Sequence, residues 1–178
     1  MTLRLLAVLV CTGLWSAQAR AAWMDETAFS TGPVIDAYGP VAEVPGALPL
    51  EADSAFHIAF DTATPAEDGD PNRTLVSAAR FINMHARAGV DPDNIHLAIV
   101  LHGRAVRDVS HAAEGEVNAS AELIRILLEH NVTFYVCGQS ASYYDVTVDD
   151  LLPGVSMSLS AMTAHARLQQ QGYTLNPF

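Results

Sequence analysis

Three short apolar runs constrain this chain more than any other feature: AFHIAFD (Ala55 to Asp61), IHLAIVLHG (Ile95 to Gly103) and VTFYVCG (Val132 to Gly138). Each is too short for a stable buried helix, and each ends at turn-forming or polar residues. Runs of this kind are strands covered on both faces, the pattern of a parallel sheet. The intervals between them carry a different period. In NRTLVSAARFINMHARAGV, Leu75, Ala78, Ala79, Ile82 and Ala86 recur at helical spacing and Gly89 supplies a stop. In NASAELIRILLEHNV, Asn118 is placed as an N-cap, Glu122 lies in the opening turns, and Leu123, Ile126 and Leu127 form one stripe. Strand, helix, strand, helix, strand, with crossovers of this length, predicts an α/β layered fold. Beyond the third run, a polar-aromatic stretch leads to a fourth strand, VSMSL (Val155 to Leu159), then to a helix over 161–171 and a short tail, GYTLNPF.

The N-terminal third reads differently. Arg4, an apolar run from Leu5 to Trp15 and small residues around Ala17 to Ala21 have the layout of a secretory signal peptide, assigned to residues 1–21. The apolar run falls short of the ~20 residues that a membrane span needs, so no integral span is expected once it is cleaved. Residues 22–53 are punctuated by Pro, Gly and acids, with no helical or alternating period, and read as an extended arm. The α/β domain is assigned to residues 54–178.

Cleavage removes Cys11 and leaves Cys137 without an intramolecular disulfide partner in a periplasmic or secreted protein. A thiol in that position is either packed and inert or kept for its reactivity. Charge narrows the partners. The nine cationic residues, all Arg, stand against 20 acids for a net charge of −11, and no polybasic patch exists to grip phosphates, so nucleic acid is excluded as an expected partner.

In an open parallel sheet, ligands bind beyond the carboxyl ends of the strands. The first run ends in Asp61-Thr62, the second in His102-Gly103 and the third in Cys137-Gly138-Gln139-Ser140. If the second and third strands are neighbours, His102 and Cys137 share an edge, where an imidazole would favour the thiolate. The competing reading of each is structural: cysteine is often simply core, and a strand-end histidine is often a hydrogen-bonding spacer. Metal is not expected, since His102, His111, Cys137, Glu114 and Glu116 match no ligand spacing. Neither a GxSxG elbow nor a GxGxxG turn is present. Glu67, Asp68 and Asp70 read as a solvated turn.

IVLHGRAV, NASAELIRILLEHNVTFYVCGQS and DLLPGVSMSLSAMTAHARLQQQGYTLNPF together resemble the DsrE/DsrF-like family of small sulfur-relay proteins, in its exported branch. The resemblance implies a three-layer flavodoxin-like domain with about five mostly parallel strands, a homotrimer or homohexamer, no cofactor, and a strand-end cysteine that carries sulfur as a persulfide. It makes Cys137 the candidate carrier and His102 its neighbour, and it names neither donor nor acceptor. Gly138, Gln139, Ser140, Gly103 and Asn118 are read from their positions as binding residues. The alternative is a non-enzymatic oligomeric subunit that binds a small ligand or metal at the same edge.

Overall fold

The computed structural model describes residues 26–177; the signal peptide reading and Cys11 lie outside them. The arm pairs with itself through β1 (Phe29–Ser30) and β2 (Val41–Ala42), two antiparallel residues each. Then come β3 (Phe56–Thr62), α1 (Arg73–Arg87), β4 (Ile95–Leu101), α2 (Ala121–Leu128), β5 (Val132–Cys137), α3 (Gly138–Tyr143), β6 (Val155–Ser158), α4 (Ala161–Gln170) and β7 (Thr174–Asn176). The last five strands make an all-parallel sheet in the order β6-β5-β4-β3-β7. The fold is therefore a three-layer α/β sheet of the flavodoxin-like kind, as the sequence predicts.

Two elements differ from the sequence reading. The tail is a strand, because Thr174 to Asn176 pair with Ile58 to Phe60 at the open side of β3. Three residues are too few to carry a periodic signal. Helix α2 starts two residues later than Asn118 implies: its N-cap is Ser120, and the Asn118 side chain accepts from the Ser120 N–H at 2.9 Å instead.

Strand parity divides the core. Phe60, Leu97, Ile99, Leu101, Phe134 and Val136 point to the side packed by α1 and α2. Residues one step out of phase, Ala59, Ala98 and Val100, point to the other side and meet Ala164 and Leu168 of α4. Successive crossovers from β3 to β6 all step one way along the sheet, so right-handed connections keep their helices on one face. The return from β6 to β7 runs back over the other face and carries α4 with it. Alanines at 59, 98 and 164 let α4 approach closely.

Polar side chains of α1 fasten the arm to the domain. Asn83, fully buried, accepts from the Val34 and Ile35 N–H groups at 3.2 and 2.9 Å and donates to the carbonyls of Ile35, Tyr38 and Gly39 at 2.9, 3.1 and 3.2 Å. Arg87 donates to the carbonyls of Val41 and Gly32. Gly39, at φ +68°, lies so near α1 that a Cβ would stand 2.5 Å from the Arg80 nitrogen. Replacing Asn83 by Ala strands several of these backbone groups, each worth about 1–3 kcal/mol if left unpaired in the interior. Asn83→Ala is expected to lower stability by about 2–4 kcal/mol in urea titration and to open residues 30–42 to proteolysis.

Candidate functional site

The register of three neighbouring strands builds the edge. Asp61 pairs with Val100 and Leu101 pairs with Val136, so His102 follows β4 where Cys137 ends β5. His102 continues extended, with φ −143° and ψ −173°, and keeps the strand's alternation. Asp61 thus shares a face with Ala59, His102 with Val100, and Cys137 with Tyr135. This is the α4 face, and three polar side chains from adjacent strands stand on it together.

Cys137 is free and 5 % exposed. Burial pushes its thiol up, but hydrogen bonds from the Ser140 hydroxyl and from the N–H groups of Ser140, Ala161 and Gln139 outweigh it and hold the thiol below the ordinary cysteine range. The donors come from both sides: three from the first turn of α3 and one from the start of α4. His102 is not among them; its Nε2 is hydrogen-bonded to Asp61. Gly138 contributes space rather than an N–H. A Cβ there would lie 2.7 Å from the Ser158 carbonyl oxygen, and the end of β6 could not come so close. Gln139 is exposed and reaches the Leu159 carbonyl with Nε2 at 3.3 Å.

Ser140 also joins the two turns, accepting from the Gly103 N–H at 2.9 Å. Gly103 has φ +53°, with Ala63 packed 3.2 Å from where its Cβ would be. Asn118, in contrast, makes its hydrogen bonds away from the Cys137 turn. It donates to the carbonyls of Asp108 and Ser110, within a network in which Asp108 accepts from Asn72 and the Ala66 N–H. Burial raises the Asp108 pKa, against the pull of those two hydrogen bonds. Glu67, Asp68 and Asp70 are exposed in the turn before α1.

His165 is the residue that sequence reasoning misses. Its Nε2 lies 2.6 Å from Asp61 Oδ1, while His102 Nε2 lies 2.9 Å from Asp61 Oδ2. Parity already places Asp61 on the face of Cys137, but nothing local to AMTAHARLQQ announces that its histidine comes back over β3. Asp61 also lines a cavity of about 410 Å³ with Thr64, Asn72 and Arg73. Among the described residues no group of His, Cys, Asp and Glu is arranged to hold a metal ion, and no helix is long and apolar enough to cross a membrane.

The thiol's environment has a direct readout. Thiolate accumulates above the depressed pKa, so alkylation of the native protein by iodoacetamide should rise with pH at a midpoint below that of a free cysteine. Ser140→Ala is expected to move that midpoint upward and slow the reaction at pH 7 by up to about tenfold, the equivalent of one pKa unit.

Comparison with known proteins supplies the lineage. Two solved structures share the fold: a protein of unknown function, MTH1491 from Methanobacterium thermoautotrophicum, at 18% identity, and the ychN protein from E. coli, at 16%. Each superposes with a TM-score of 0.52 over 69% of this chain and 99% of its own. No curated protein gives a significant match. The DsrE/DsrF-like family model covers residues 53–177, the whole α/β domain with its sheet edge, and the chain belongs to that family.

Proposed function

We propose that the protein is a sulfur carrier in which Cys137 holds sulfane sulfur as a persulfide. The observation that supports this most directly is the donor set around the sulfur: a hydroxyl and three N–H groups lower the pKa of a thiol that ends a strand at the ligand edge. The family's general association with sulfur relay points the same way. In the loading step the Cys137 thiolate attacks the outer sulfur of a polysulfide or thiosulfonate. A new S–S bond forms, the donor's S–S bond breaks, and the donor remnant leaves with the electron pair. In discharge, an acceptor thiolate attacks the outer sulfur of Cys137–S–SH and the Cys137 thiolate leaves.

A second reading rests on the small exposure of Cys137. With only 5 % of the residue accessible, the thiol can serve packing while the edge binds a ligand without turnover. Mass spectrometry separates the two. Incubation of the native chain with polysulfide is expected to add about 32 Da, one sulfur atom, and Cys137→Ser to abolish the adduct. An adduct that forms only after unfolding favours the packing reading.

This reading takes the working protein to be exported and homo-oligomeric, a trimer or hexamer. Tyr143, Leu159 and Met162 are exposed on the elements that flank Cys137, and an apolar surface of this kind suits a second copy. Light scattering of the chain from residue 22 onward is expected to give a multiple of the protomer mass at micromolar concentration; a strict monomer would count against the assembly.

A further inference from the structure

The carboxylate of Asp61 takes two imidazoles, one on each oxygen. A carboxylate only accepts hydrogen bonds, so both Nε2 atoms carry the proton. That assignment leaves Nδ1 of each ring to be accounted for. In His165 the Nδ1 atom is buried without a hydrogen-bond partner.

His102 differs from His165. A third of its side chain is exposed, and its hydrogen bond to Asp61 uses Nε2, which leaves the Nδ1 lone pair outside that bond; strand register puts the residue on the sheet face that carries Cys137. The Cys137 thiol has its own donors. An incoming alkyl thiol needs a base: at an ordinary pKa of about 8.5, only about 3% of it is thiolate at pH 7.

We infer that His102 is the base that deprotonates the acceptor thiol during discharge, and that Asp61 and His165 are positioning residues that fix its tautomer and ring. The inference rests on the sulfur-carrier reading of Cys137. The acceptor R–SH gives its proton to His102 Nδ1, and R–S⁻ attacks the outer sulfur of Cys137–S–SH. The bond from that sulfur to Cys137 Sγ breaks, R–S–SH forms, and Cys137 leaves as thiolate with the electron pair. The imidazolium, beside the Asp61 carboxylate, then releases its proton to solvent. The ionisable groups around His102 on this edge are Asp61 from β3, bonded to it, His165 from α4 on the other oxygen of Asp61, and Cys137 at the end of the neighbouring β5; Arg104 is in its own loop, and Glu67 and Arg73 line the cavity at Asp61.

The test separates loading from discharge. The mature chain and its His102→Gln and Asp61→Asn variants are loaded with polysulfide, freed of excess and mixed with glutathione or with an acidic aromatic thiol already ionised at pH 7. Loss of the persulfide is followed by mass spectrometry. Loading is expected to be unchanged in both variants. Discharge to glutathione is expected to fall by about ten- to thirtyfold at pH 7, the most that full ionisation of such a thiol can supply, and to recover as pH approaches the thiol's own pKa. Discharge to the aromatic thiol should stay near the parent rate. Equal losses with both acceptors, or no loss with either, would overturn the role of His102 as base. A parent chain that never loads overturns the sulfur-carrier reading itself, and that failure is visible before any acceptor is added. Should Asp61→Asn fail to fold, His102→Gln, altered at a partly exposed ring, carries the test alone.

Discussion

The register between β3, β4 and β5 is the constraint on which the site depends. Side chains alternate between faces with a period of two, so a shift of one residue in any of these strands would send its terminal functional group to the opposite side of the sheet. The buried apolar residues prevent that shift. Phe60, Leu97, Ile99, Leu101, Phe134 and Val136 fill one face and leave no place there for a polar neighbour. Burying each contributes on the order of 1.5–3 kcal/mol. The same hydrophobic burial that stabilises the domain therefore aims Asp61, His102 and Cys137 at the other face.

The return crossover completes what register begins. Because β7 pairs with β3 at the far edge, the chain has to travel back over the sheet, and α4 makes that journey across a floor of small side chains. Its first turn brings the Ala161 N–H to the Cys137 sulfur, and its next turn brings His165 to Asp61. One helix thus supplies a contact to both halves of the edge. Ser140 joins them from the other direction, acting on the sulfur while it accepts from Gly103 next to His102.

Much of the fold was legible in the sequence because its signals are local. Apolar runs at 55–61, 95–103 and 132–138 fall within a residue or two of β3, β4 and β5, and the stripe of Leu75, Ala78, Ala79 and Ile82 is the buried stripe of α1. The short β7 was not legible, since three residues hold no period and take their form from the open side of β3. Asn118 shows a similar limit. An Asn three residues before a helix is good capping chemistry, yet here its amide nitrogen donates to the carbonyls of Asp108 and Ser110, and the N-cap position falls at Ser120. Local propensity gave way to a loop network that exists only when three segments meet.

What the sequence by itself determined is the layered α/β fold, the parallel sheet, and a cysteine and a histidine each at a strand end, because hydrophobic period and turn chemistry are written within each segment; the sheet order made those strand ends neighbours. Only the tertiary structure decided which groups act on the thiol and which residue holds Asp61. Those contacts join positions up to 104 residues apart, between Asp61 and His165. Their partners are selected by the path of α4 over the sheet, and no segment read alone records where a later helix will return.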